Sequence, residues 1–205
     1  MAPRLLRRPH LLTLLRLAGF GLVVSAEVSL IVHLGARFDP VTHFGYFTVL
    51  SNVFAALVLL VGAFVPVPGP IRGAAVLYMV VTGIVYAVLL RGVDVGTPLY
   101  ANQILHVVIP ILVAVDWLAD PPRARIALRT ALWWLVFPLA YLAVTLVRGP
   151  ILNWYPYPFL DPGQRGYGGV ALMSLFVAVI FLVLTWLITT VGNAKRGQSG
   201  AAVEA

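Results

Sequence analysis

The chain contains no cysteine, and only 10% of its 205 residues are charged. Without cysteine there is no disulfide, no thiol nucleophile and no thiolate metal ligand. Soluble domains carry about 25% charged residues, so a chain this poor in charge, with 61% hydrophobic residues, is typical of a membrane protein. The sequence also lacks a glycine-rich phosphate loop and a G-x-S-x-G nucleophile elbow.

Hydropathy and loop residues divide the chain into six candidate spans, each close to the roughly 20 residues that cross a bilayer core. They cover residues 11–36, 44–64, 72–91, 99–118, 128–148 and 168–191. The sequence predicts an all-α integral membrane bundle of six transmembrane helices, one domain over residues 1–196, with a disordered tail at 197–205. The basic and apolar start of the chain is too long for a signal peptide and predicts a retained first helix.

The basic residues are unequally divided between the two sides of the predicted bundle. Ten Lys and Arg residues fall on the side of the termini and four on the other side, so the positive-inside rule predicts that both termini are cytoplasmic. The net charge of +7 then reflects topology, and we expect no nucleic-acid partner. Arginine outnumbers lysine thirteen to one, which favours a GC-rich bacterial genome and hence a bacterial plasma membrane.

Polar side chains lie within the predicted spans, where an unsatisfied hydroxyl or amide is costly. Thr48 and Asn52 share one face of the second span, and Asn102 and His106 share one face of the fourth, because residues four apart are neighbours on a helix. A rise of about 1.5 Å per residue places Thr48 and His106 within two turns of the outer face. We therefore expect these two pairs to meet.

Ionisable groups inside spans are rare and indicate function by default. His106 is the stronger candidate, and Glu27 in the first span is expected at a similar depth, together with Tyr86 in the third. Each of these groups also has a structural alternative, since polar side chains commonly hydrogen-bond between membrane helices.

A neutral imidazole beside a hydroxyl can form an activated nucleophile for attack on an ester or amide carbonyl. His106 would accept the proton of Thr48 or Ser51, and spacing alone does not favour Thr48. Candidates for orienting the imidazole are a tyrosine hydroxyl, Glu27 and Asn102. Candidates for stabilising the oxyanion are Asn52, Asn102 and Tyr86.

Other chemistries fit these residues less well. A metal hydrolase needs about three ligands, and His106, Glu27 and His33 form a conceivable set in which His33 lies nearer the membrane surface. We therefore predict neither a metal nor a cofactor.

The loop between the fifth and sixth spans, residues 153–162, is rich in aromatic residues and proline. It fits an aromatic belt at the membrane interface. It also fits a stiff lid over a cavity that opens on the outer face.

Three short motifs carry a resemblance to a known family. They are aromatic-x-Thr-x-Leu-x-Asn at 46–52, Asn-x-x-x-His-x-x-x-Pro at 102–110 and Trp-x-x-Tyr-Pro-x-x-Asp at 154–161. In this order they resemble the six-span family that includes the androgen-induced gene product and the androgen-dependent regulator of tissue factor pathway inhibitor. The chain is most similar to the bacterial branch, called Pr6Pr, over residues 11–191.

The resemblance implies an intramembrane threonine hydrolase that cleaves fatty acid esters of hydroxy fatty acids. Carried over to this chain, Thr48 is the nucleophile and His106 the general base. Animal members often have a second histidine where this chain has Gln103, which affects the expected substrate preference. Arg91 and Asp161 are candidates for binding a free carboxylate or ordering the loop near the opening of the pocket.

The expected pocket lies between the first four helices and is apolar with a few convergent polar groups. Its expected ligand is a lipid ester, with membrane lipids around the bundle, and the oligomeric state is left open. Two other functions fit the same residues. The protein could bind or transport a lipid without cleaving it, or it could be a structural six-helix scaffold.

Overall fold

The computed structural model describes residues 10–92 and 96–204, with side chains described as far as residue 196. Throughout this part of the chain the regular structure is helical, and six segments are long and apolar enough to cross a membrane. These spans are His10–Arg37, Phe47–Phe64, Gly69–Leu90, Leu99–Ala119, Leu128–Leu152 and Pro162–Arg196. The prediction of an all-α bundle with six membrane-spanning helices is therefore confirmed.

Several spans contain more than one helical element. The α-helices are α1 (His10–Leu34), α2 (Pro40–His43), α3 (Phe47–Phe64), α4 (Gly69–Val85), α5 (Leu99–Gln103), α6 (Ile109–Ala119), α7 (Leu128–Ala131), α8 (Val136–Leu152) and α9 (Pro162–Glu204). Short 3₁₀ or π-helical turns occupy Gly35–Arg37, Tyr86–Leu90, Ile104–Val108, Leu132–Leu135 and Pro158–Leu160. Backbone at 197–204 continues α9, whereas the side chains of the predicted tail at 197–205 lie outside the described residues, so disorder there stays a prediction.

The sixth span begins at Pro162, six residues before the predicted boundary at 168. A carboxylate oxygen of Asp161 accepts the backbone N–H of Gly163 at 2.8 Å, which is the geometry of a helix N-cap. Proline suits the first helical position because its fixed φ is already helical. Gly166 then interrupts the helix with a φ of 65°, a conformation that glycine adopts without steric cost.

The second, third and fourth spans form the centre of the bundle. About half of their residues are buried, against 17% in the first, fifth and sixth spans. The exposed apolar side chains of the three outer spans, such as Val32, Leu139 and Leu182, are the surface that a membrane helix presents to lipid.

An aromatic cluster fixes the start of α3 against the outer spans. The ring of Phe47 stacks on Phe137 at 5.3 Å and meets Tyr141 edge-on at 5.2 Å. The Tyr141 hydroxyl donates to the carbonyl of Gly45 and accepts the backbone N–H of Phe47. Because the first N–H groups of a helix have no partner within the helix, this hydroxyl both caps α3 and sets its position.

Four charged side chains form a network at the opposite end of the bundle from the start of α3. Arg16 donates to Asp116 and Asp120, both at 2.6 Å, and to the carbonyl of Gly62 at 2.8 Å. Arg72 pairs with the same two carboxylates at 2.9 and 3.2 Å. Two arginines and two aspartates balance in charge, which makes it possible for Arg16 to be only 1% exposed.

Gly73 of α4 packs so closely against the indole of Trp134 that an added methyl group would overlap the ring. We expect Gly73→Ala to reduce the free energy of unfolding by about 1–3 kcal/mol, as overpacking of a core does. Gly21→Ala is the matched control, because Gly21 faces open space on α1 and alanine favours a helix. Thermal unfolding in detergent checks the difference, and equal midpoints for the two variants would contradict the close helix packing.

Candidate active site

Thr48 and His106 meet near one end of the bundle. Thr48 lies in the first turn of α3 and is 7% exposed. Its Oγ1 lies 3.3 Å from Nε2 of His106, which belongs to the fourth span. The distance suits a weak hydrogen bond, and hydrogen bonds of this kind in catalytic sites often shorten only when a substrate is bound.

The other ring nitrogen determines which proton His106 carries. Nδ1 lies 3.0 Å from the backbone carbonyl oxygen of Asn102. A carbonyl only accepts hydrogen bonds, so Nδ1 of the neutral ring bears the proton and Nε2 has the free lone pair. His106 thus faces Thr48 with the atom that a general base requires. Asn102 orients this base through its main chain.

A π-helical turn over Ile104–Val108 positions His106. Pro110 has no N–H to donate to the His106 carbonyl four residues earlier. The N–H of Ile109 donates to the carbonyl of Ile104, five residues earlier, and this longer step widens the turn. Such widened turns often occur at functional sites. Gly83 of the third span packs against this segment, where an added Cβ would lie 3.3 Å from the His106 carbonyl oxygen.

Tyr86 stacks on one face of the His106 imidazole. The two rings stack with centroids 4.4 Å apart and planes inclined by 25°. The side-chain amide of Asn102 donates to the Tyr86 hydroxyl at 2.6 Å. Tyr86 accepts this hydrogen bond and Asn102 donates it, so the O–H proton of Tyr86 is not used by this contact. The predicted role of these two residues as oxyanion donors stays a prediction, and both also hold the imidazole of His106 in place.

Tyr157 is the residue at this site that the sequence analysis missed. Its hydroxyl lies 3.3 Å from Thr48 Oγ1 and accepts the backbone N–H of Thr48 at 3.2 Å. Burial raises the pKa of the Tyr157 phenol, so the hydroxyl keeps its proton and is a potential donor. The aromatic loop brings Tyr157 to the dyad, with the Tyr157 ring packed edge-on against Tyr46. This is closer to the lid interpretation of the loop than to the interfacial belt.

Ser51 and Asn52 lie one turn further along α3 and are fully buried. The Asn52 amide donates to the carbonyls of Thr48 and Leu105, which ties the second span to the fourth. Because both amide hydrogens point at these carbonyls, Asn52 is not placed as the predicted oxyanion donor. Ser51 does not line the cavities beside Thr48, so access distinguishes the two hydroxyls that spacing left equivalent.

Glu27 lies against His43 and not against His106. Its Oε2 is 2.9 Å from Nε2 of His43, without the angles of a hydrogen bond. Burial lowers the pKa of His43, which favours its neutral form. Glu27 therefore does not take the predicted role of orienting the imidazole of His106, and its neighbour His43 is only 6% exposed.

Arg91 and Asp161 are both outside the cavity walls. Arg91 is exposed just after the third span, and Asp161 caps the sixth. The cation that lines the cavity beside the dyad is Arg37, at the end of the first span. Neither residue lines the two cavities, so the suggestion that Arg91 and Asp161 bind a free carboxylate or order the loop stays a prediction.

Two cavities adjoin at Thr48. One, of about 270 Å³, lies among the first four spans and the aromatic loop, and the polar residues of its wall include Arg37, Asp39, Thr42, His43, Tyr86, Thr97, Asn102 and His106. The other, of about 280 Å³, lies between the second, third, fifth and sixth spans and is almost entirely apolar. Thr48, Leu90 and Tyr157 line both. The expected pocket among the first four helices is present, and the apolar cavity was not predicted.

Within the described residues, no three histidine, aspartate or glutamate side chains lie close enough together to hold a metal ion. The conceivable set of His106, Glu27 and His33 is not assembled, because Glu27 lies against His43. The site is therefore described by its protein groups alone.

Comparisons with protein-family models, with curated proteins and with solved structures gave no match. The family resemblance of the three motifs stays a prediction. Their positions are nevertheless informative, because each motif contributes one side chain to the same point. Thr48 comes from the first motif, His106 from the second and Tyr157 from the third.

Proposed function

We propose that this membrane protein is an intramembrane threonine hydrolase that cleaves lipid esters such as fatty acid esters of hydroxy fatty acids. The observation that carries the proposal is the 3.3 Å contact between Thr48 Oγ1 and the lone-pair nitrogen of His106, within a membrane-spanning bundle. The resemblance to the threonine hydrolase family supports the same residues as nucleophile and base. The reaction needs the ester and water, and no cofactor.

In the first half of the reaction, Nε2 of His106 accepts the Thr48 hydroxyl proton as Oγ1 bonds to the ester carbonyl carbon. The carbonyl π electrons move onto its oxygen and form a tetrahedral oxyanion. When this intermediate collapses, the bond from carbon to the alcohol oxygen breaks. The leaving oxygen takes the proton from His106, and the acyl group remains as an ester of Thr48.

In the second half, water replaces the alcohol. His106 accepts a proton from water as the water oxygen attacks the acyl carbon. Collapse of the second oxyanion breaks the bond to Oγ1, and the proton on His106 returns to Thr48. The fatty acid leaves and the enzyme is restored.

Tyr157 is the group best placed to donate to the oxyanion, since its hydroxyl touches both Oγ1 and N of Thr48. We expect Tyr157→Phe to lower kcat by about 10²-fold, the lower end of the effect of removing one oxyanion donor, with little change in KM. Tyr155→Phe is the matched control, because Tyr155 is two residues before Tyr157 in the same loop and lines neither cavity. Equal kcat values for the two variants would contradict the role of Tyr157. Steady-state kinetics on one ester measures both constants.

We further propose that the protein belongs to a bacterial plasma membrane with both termini in the cytoplasm, because the Arg and Lys bias favours this orientation. In that orientation the Thr48 end of the bundle faces outward, and the network of Arg16, Arg72, Asp116 and Asp120 lies near the cytoplasmic surface.

The alternative is a protein that binds or transports lipids without cleaving them, and the two cavities are compatible with it. A fluorophosphonate separates the two functions. A hydrolase is labelled covalently on Thr48, as peptide mass spectrometry would detect, whereas a binding protein is not.

The direct test is hydrolysis of a palmitic acid ester of hydroxystearic acid by the purified protein in detergent. Release of palmitate supports the proposal. A folded protein that hydrolyses neither this ester nor simpler acyl esters, and that is not labelled, would leave lipid binding as the function.

A further inference from the structure

The two cavities that adjoin at Thr48 differ in the polarity of their walls. His106 lines the polar cavity and is absent from the wall of the apolar one. The apolar wall is formed by side chains such as Val81, Leu142, Val177 and Phe181. An ester whose carbonyl carbon reaches Thr48, with one half in each cavity, therefore has its two halves in unlike surroundings.

The proposed chemistry decides which half lies where. The leaving alcohol oxygen must receive its proton from Nε2 of His106, and the water that follows must give a proton to the same atom. Both events require access to His106, which only the polar cavity provides. Water also enters a polar cavity more readily than an apolar one.

We infer that the apolar cavity is the acyl pocket of the enzyme, and that the polar cavity holds the alcohol part of the ester and then the hydrolytic water. This inference rests on the proposed hydrolase function and deepens it by orienting the substrate. The acyl chain lies between the second, third, fifth and sixth spans. Leu139 and Leu182 on that wall are 60% and 50% exposed on the bundle surface, so the chain enters sideways from the lipid.

The charged residues of the polar cavity indicate which alcohol parts it would bind best. Arg37 lines the polar cavity and is exposed at its outer end. Asp39 lies in the same wall, and its carboxylate accepts the Thr42 hydroxyl and the backbone N–H groups of Thr42 and Val41. These hydrogen bonds, together with the nearby Arg148, lower the pKa of Asp39, so its negative charge is offset by the cap of α2 and by Arg148. The favoured alcohol part is therefore one that carries a carboxylate within reach of Arg37.

Two matched variants test the orientation. Ala178→Phe places a ring in the apolar cavity, and Thr97→Phe places one in the polar cavity. The substrates are two ester series, one with a fixed alcohol and acyl chains from acetyl to palmitoyl, the other with a fixed acyl group and alcohols of increasing length. We expect Ala178→Phe to lower kcat/KM for palmitoyl relative to acetyl esters by at least about tenfold, without changing the order among alcohols. Thr97→Phe should lower kcat/KM for long relative to short alcohols by a similar factor, without changing the order among acyl chains.

The opposite assignment of the two effects, or no shift from either variant, would overturn the inference. Arg37→Gln adds a second comparison, in which the preference for a carboxylate-bearing alcohol over its methyl ester should fall at least about tenfold. An unchanged preference would remove Arg37 from the inference.

A binding measurement separates this inference from the proposed function. Palmitate should raise the thermal unfolding midpoint of a Thr48→Val protein more than octanoate does, and Ala178→Phe should remove that difference while Thr97→Phe keeps it. If no ester is hydrolysed but this pattern holds, the hydrolase proposal fails and the acyl pocket stands. If esters are hydrolysed but the pattern is reversed, the orientation fails and the hydrolase stands.

Discussion

Thr48→Val is expected to lower ester hydrolysis by about 10³-fold or more while the protein keeps its fold. Valine has nearly the shape of threonine, so the substitution removes the Oγ1 nucleophile and its contacts with His106 and Tyr157 without opening a cavity. The measurement is kcat/KM on one lipid ester, with the thermal unfolding midpoint recorded for each variant.

The controls use the same chemical change at another place. Thr189→Val removes a buried hydroxyl that donates to the carbonyl of Thr185 in the sixth span. Thr189 lines neither cavity beside Thr48, so we expect the activity of this variant to stay within about twofold of that of the unchanged protein. Thr48→Ser keeps a hydroxyl and should keep measurable activity. Comparable losses in Thr48→Val and Thr189→Val would show that the effect is structural.

Substitution of His106, the proposed general base, should also lower activity strongly. His106→Gln removes the proton acceptor and should lower kcat by about 10²–10⁴-fold, the usual contribution of a general base. Because the two residues act on the same proton, Thr48→Val and His106→Gln combined should be hardly worse than either alone. Full additivity of the two losses would contradict a dyad.

Helical spacing and membrane depth led to the pair of Thr48 and His106, because both features are local. A rise of about 1.5 Å per residue places side chains at a depth, and a separation of four residues puts them on one face. Spacing could not separate Thr48 from Ser51, which differ by less than one turn. That choice depends on which side of α3 meets a cavity, and only packing with the other spans determines it.

Tyr157 and the pairing of Glu27 with His43 could not be derived from local patterns. Tyr157 is 109 residues away from Thr48 and lies in a loop whose path is set by prolines and aromatic contacts. The signal was present, since Tyr157 is the tyrosine of the third motif, but composition alone left an interfacial belt and a lid as alternatives for this loop. Glu27 lies against His43 because the chain turns back after the first span, and no periodicity predicts such a turn.

The positive-inside rule did not predict the charged network of Arg16, Arg72, Asp116 and Asp120. Arg16 and Arg72 were counted as topology signals, which treats them as exposed loop charges. In the structure Arg16 reaches 100 residues along the chain to Asp116, and both arginines are buried. Since a buried charge is costly unless it is paired, the two aspartates at the end of the fourth span were the clue that these arginines lie inside the bundle.

Arg16→Met is expected to destabilise the bundle strongly, by about 3–5 kcal/mol, because removing one partner of a buried ion pair leaves an uncompensated charge. Arg72 pairs with both Asp116 and Asp120 and would then balance one of these two negative charges. Adding Asp116→Asn restores the charge balance, so the double variant should be more stable than Arg16→Met alone. Arg129→Met, at an exposed position, is the control and should change stability by less than about 0.5 kcal/mol. Thermal unfolding in detergent ranks the three variants. A double variant less stable than Arg16→Met would mean that the hydrogen bonds of Asp116 outweigh charge balance in this network.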